Sequence, residues 1–97
     1  MADTVFFPTP GTSTSIAATG TTASAALSPT SPQVRVYNSG TVTAFIRFGK
    51  GAQTALATDM ALAPSAVENF GKLDADTIAA ITGGTAATLY IISGTGV

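Results

Sequence analysis

From residue 33 onward, apolar and polar side chains alternate in short runs broken by glycine, asparagine and proline. Val34 and Val36 alternate with Arg35 and Tyr37. Asn38-Ser39-Gly40 interrupts, and Val42, Ala44, Ile46 and Phe48 then alternate with Thr43, Phe45 and Arg47. A period of two puts each set on one face of a strand, so the stretch predicts two strands, paired as a hairpin, with one face in a core. Gly49-Lys50-Gly51 ends the second strand, and residues 52–59 predict an irregular crossover, being too short and charge-poor for a stable helix. Met60-Ala61-Leu62 and Val67-Glu68-Asn69-Phe70 flank Pro64, which belongs at an edge or a turn. Thr77-Ile78-Ala79-Ala80-Ile81-Thr82, Gly83-Gly84-Thr85 and residues 86–93 predict a second hairpin, and Thr88-Leu89-Tyr90-Ile91-Ile92, apolar on both faces, predicts a central or covered strand.

Before residue 33 the texture changes. Residues 1–32 are Thr, Ser, Ala, Gly and Pro with isolated large apolar residues at Val5, Phe6, Phe7, Ile16 and Leu27, which reads as an extended N-terminal arm. Within it, Ser15-Ile16-Ala17-Ala18-Thr19 and Ala23-Ser24-Ala25-Ala26-Leu27 have the makings of short strands, so two outcomes stand open: an arm that anchors on a neighbour, or strands integral to the domain. The organisation expected is an arm over 1–32 and a β-sandwich domain over 33–97. The expected fold class is all-β: a small antiparallel sandwich or barrel, jelly-roll or immunoglobulin-like, with an extended N-terminal arm.

Composition narrows the function. The chain of 97 residues contains no cysteine and no histidine, so it has no disulfide, no thiolate metal site and no imidazole base or ligand. Charged residues make up 9%, well below the roughly 25% of ordinary soluble domains, and the formal net charge is −1. A small core and a charge-poor surface point to self-association, with a trimer favoured. Four basic residues cannot neutralise a run of phosphates, which argues against nucleic acid. The start carries Asp3 and meets Pro8, unlike a secretory leader, and the uncharged stretch before Arg35 is broken by prolines, unlike a membrane span.

No pattern of residues makes a catalytic, cofactor or metal site. Asp74 and Asp76 lack the rest of a calcium loop, Gly49-Lys50-Gly51 lacks the spacing of a phosphate loop, and Asp59 with Glu68 lacks the aromatic-lined cleft a glycosidase needs. The serines and threonines have no base beside them, so no catalysis is expected. The candidate interface residues are Val5, Phe6 and Phe7 on the arm, and Arg35 and Arg47 on the non-core face of the first predicted hairpin. The two arginines are either solvated or meet carboxylates of another subunit.

Val34-Arg35-Val36-Tyr37-Asn38-Ser39-Gly40-Thr41, Ala44-Phe45-Ile46-Arg47-Phe48-Gly49, Ala57-Thr58-Asp59-Met60-Ala61-Leu62, Ile78-Ala79-Ala80-Ile81-Thr82 and Ala87-Thr88-Leu89-Tyr90-Ile91 together resemble small virion proteins of tailed bacteriophages, over roughly residues 33–96. With the polar arm and the scarcity of charge, the likeness is to capsid decoration, or cement, proteins. That resemblance implies a β domain made in the host cytoplasm and mounted on the outer surface of the head. It would be a trimer that binds the major capsid protein and stabilises capsomer contacts, its arm added as a strand to a neighbour's open edge. The alternative it implies is a receptor-binding or fibre-associated β domain of the virion, marked by a surface cluster of aromatics.

Overall fold

The computed structural model describes residues 7–27, 31–72 and 74–95, and every regular element among them is a strand. The strands are β1 (Phe7–Pro8), β2 (Thr14–Ala18), β3 (Ala23–Ala26), β4 (Gln33–Asn38), β5 (Ala44–Gly49), β6 (Met60–Leu62), β7 (Val67–Gly71), β8 (Thr77–Thr82) and β9 (Ala87–Thr95). All pairings are antiparallel. One sheet runs β1-β9-β4-β7, with β2 joining β1 along the same edge of β9; the other runs β3-β8-β5-β6. From β2 to β9 this is the path of a jelly roll, eight strands dealt to two facing sheets by a pair of Greek keys. The fold is thus the all-β sandwich the alternation predicts.

The alternating residues form the filling. Val34, Val36, Leu89 and Ile91 of the first sheet share a core with Leu62, Ile46, Ile78 and Ala80 of the second. Ile16, Ala18 and Leu27 belong to the same core and are almost fully buried. Residues 14–26 therefore supply one strand to each sheet, and the boundary expected at residue 32 does not separate an arm from a domain there. Alanine and serine on these two strands leave so little apolar bulk that composition alone reads as a linker, yet Ile16, Ala18 and Leu27 are enough to pin them. Phe48 and Phe70, ring centroids 5.4 Å apart, bridge the two sheets beside this core.

Neither predicted hairpin forms. β4 pairs with β9 and β7, and β5 pairs with β8 and β6, so Asn38-Ser39-Gly40 carries the chain from one sheet to the other. The cause is Asn38, which is fully buried. Its Nδ2 donates to the carbonyls of Val42, at 2.9 Å, and Leu62, at 3.1 Å, while its Oδ1 accepts the Gly40 N–H at 2.9 Å. Gly40 packs so close to β9 that a Cβ there would lie 2.5 Å from the Ala87 Cβ. A side chain that satisfies backbone groups of two elements holds the corner open, where a tight turn would fold β5 back on β4. Gly83 and Gly84 make the equivalent crossing from β8 to β9, Gly84 with φ at +142°, a conformation open to glycine.

Candidate docking face

The two sheets differ in what covers their outer surfaces. On the second sheet, residues 50–59 leave β5, reach the start of β3, where the Ala55 N–H donates to Thr22 Oγ1 at 2.9 Å, and return to Met60 beside Ile46. That path crosses the outside of β8, and Ala55 and Ala79 are buried although neither belongs to the main core. Arg47 and Asp59 fasten the crossing. The guanidinium donates from Nε and Nη2 to Oδ1 at 3.1 and 3.0 Å, and the Leu56 N–H donates to Oδ2 at 2.7 Å. The Leu56 N–H first, and then Arg47, hold the Asp59 carboxyl below its ordinary value of 3.8, against the opposing cost of partial desolvation. Asp76 secures the other end, accepting from the Gly51 N–H and the Thr77 hydroxyl, both at 2.9 Å, and its pKa is lowered in consequence.

The outer face of the first sheet has no such cover among the described residues. Register sets Ser15, Tyr90, Tyr37 and Val67 in one row across β2, β9, β4 and β7, with Ile92, Arg35 and Asn69 in the next. Tyr37 and Tyr90 stack with centroids 6.3 Å apart and planes 20° from parallel, yet remain 38% and 50% exposed. Val67 is 53% exposed. Beside the tyrosines lies a shallow hollow of about 170 Å³ lined by Ser13, Arg35, Tyr37, Tyr90, Ile91 and Ile92. Arg35 Nε donates to Asn69 Oδ1 at 2.8 Å, so the one charge in this row is steered along the sheet. Exposed aromatic and aliphatic side chains gathered on a rigid sheet, with one arginine beside them, have the make-up of a protein interface core.

The structure separates the sequence-derived candidates. Arg35 lies on this face, whereas Arg47 lies on the other sheet and finds its carboxylate within its own chain. The two do not face each other across a hairpin. Val5 and Phe6 lie outside the described residues; Phe7 is placed only by its backbone, paired with Thr95. Of the acids considered for chemistry, Asp76 serves the loop contact described above, and Asp74 sits on the surface 3.7 Å from Lys50. Sequence reasoning missed Tyr37 as a site residue. Its alternation with Val36 put it on the same face as Arg35, but its partner Tyr90 is 53 positions away, and that pairing depends on the β4–β9 register.

The class of protein defined by these observations is a small jelly-roll sandwich with one outer face covered by its own chain and the other presenting an aromatic patch. No protein-family model matches the chain, and no curated protein does. Among solved structures it is similar to a crystal structure of PirA, with a TM-score of 0.57 and 13% identity over 90% of this chain and 96% of that one. A likeness at that identity concerns the fold.

Proposed function

We propose that this chain is a non-catalytic structural protein of a tailed-phage virion, mounted on the outside of the head as a trimer. There it binds the major capsid protein through the outer face of its first sheet and stabilises capsomer contacts. The observation that carries this reading is the asymmetry between the sheets: residues 50–59 cover one outer face, while the other leaves Tyr37, Tyr90, Val67 and Ile92 for a partner. The charge-poor composition and the resemblance of residues 33–96 to cement proteins support it. Tyrosines at the centre of an interface are common hot spots, and each costs about 1–2 kcal/mol or more when truncated. Replacing both Tyr37→Ala and Tyr90→Ala is therefore expected to weaken binding to undecorated heads by about a hundredfold, with the fold intact by circular dichroism. Unchanged binding in co-sedimentation with heads would remove the docking face.

The stacked tyrosines also favour a second reading, a receptor-binding or fibre-associated domain, which is marked by surface aromatics. Under that reading the same variant keeps its place in the particle and loses attachment to host cells.

A further inference from the structure

The edges of the two sheets are not equally protected. A strand at an edge presents unpaired N–H and C=O groups, and proteins blunt such edges by shortening, prolines, lysines or cover. β1 has two residues, one of them Pro8, and Pro10 follows. β2 packs against β3 and β8 at the side of the sandwich as well as on β9. β3 has only four residues, and the chain just before it is held where the Thr22 hydroxyl accepts from the Ala55 N–H. β6 has three residues and is followed by Pro64. β7 has one weak device, the charge of Glu68 on the face it shares with buried Val36, and is neither cut short nor broken by proline nor covered. It has five residues, Val67-Glu68-Asn69-Phe70-Gly71, with one charge, no proline and no lysine, and β4 is the one element it packs against extensively. Among the described residues nothing caps its outer backbone groups.

We propose that the free edge of β7 is an acceptor for an added strand, and that its occupant is residues 2–6 of a second copy of this chain. The segment Ala2-Asp3-Thr4-Val5-Phe6 matches β7 in length, contains neither glycine nor proline, and ends in three residues suited to strands. It joins the described chain at Phe7, against Thr95 on the edge opposite β7 in the same sheet. Three inter-strand steps, about 14 Å, separate β1 from β7, and β9 and β4 fill that space. A copy set alongside, its β1 edge facing this β7 edge, brings the segment directly to the acceptor. Such a contact joins two different surfaces, so it propagates head to tail; a rotation of one third of a turn between copies closes it as the trimer proposed above. The inference rests on the self-assembly proposed above and is independent of the face that meets the capsid.

The test compares the full chain with a chain lacking residues 2–6, which removes none of the described strands, and with the full chain carrying Val5→Asp and Phe6→Asp. Each is followed by sedimentation velocity and by amide hydrogen exchange of residues 67–71. The full chain is expected to sediment as an oligomer with β7 amides slowed about tenfold or more. Both altered chains are expected to sediment as monomers with fast-exchanging β7 amides and unchanged circular dichroism, and a peptide of residues 1–8 should restore protection to the truncated chain. A monomeric full chain, an oligomer with unprotected β7, or a truncated chain that stays assembled with β7 protected would each overturn the proposal. The last outcome would show β7 pairing with something else, such as a second β7. Loss of head binding in the tyrosine variant bears on the docking face alone, so the two proposals fail separately.

Discussion

The amide of Asn38 ties the end of β4, the corner after it and β6 together through three hydrogen bonds, two of them to carbonyls that no other described side chain reaches. Asn38→Ala strands the Leu62 carbonyl in the interior and takes the amide from the half-buried Val42 carbonyl, and an unsatisfied buried polar group costs about 1–3 kcal/mol. Urea unfolding should show a loss of about 2–4 kcal/mol, a large share of the stability of a domain this size. A loss under 1 kcal/mol would mean that water replaces the amide and the corner is held by packing. The sequence marked Asn38-Ser39-Gly40 as a turn and was right about the break, but could not say which way the chain leaves it. That depends on the Leu62 carbonyl, 24 residues on, and on Ala87 crowding Gly40.

At the scale of elements, the strands were largely legible because alternation survives in β4, β5, β8 and β9, where Val34, Val36, Ile46, Ile78, Leu89 and Ile91 point inward. β2 and β3 were less so, since alanine gives little contrast between inside and outside. Their place in the core predicts that removing residues 2–31 unfolds the protein. Ile16 and Leu27 alone account for about 3–6 kcal/mol of burial, comparable with the whole stability expected of the domain, and the deletion also strips one edge from β9 and one from β8. Circular dichroism should lose its β signal; a folded remnant of residues 32–97 would show these strands to be dispensable.

The loop over the second sheet carries its own prediction. Asp59 and Asp76 have folded-state pKa values below 3.8, so their ionised forms favour the folded state. Their contribution is present above pH 3.8 and is lost as the pH falls through the lowered folded-state values. Acid unfolding followed from pH 6 downward should therefore be less steep below about pH 4 in a variant with Asp59→Asn and Asp76→Asn than in the parent. Identical acid limbs would place the sensitivity elsewhere.

For the whole molecule, the candidate site was legible only in fragments. Arg35 is placed on an outer face by alternation alone, and Tyr90 falls in a strand that reads as central or covered. The patch itself exists because β4 and β9 are neighbours in register and because residues 50–59 cover the opposite sheet, neither of which a local pattern reveals. The covered sheet and the bare one give the molecule a front and a back, and the proposed function uses that difference. A cryo-electron microscopy map of the parent particle at side-chain resolution tests this most directly. The account predicts copies of the chain on the outside of the head, grouped about symmetry axes, with Tyr37 and Tyr90 buried against the major capsid protein. Copies confined to the tail tip, or head-bound copies with both tyrosines facing solvent, would contradict it.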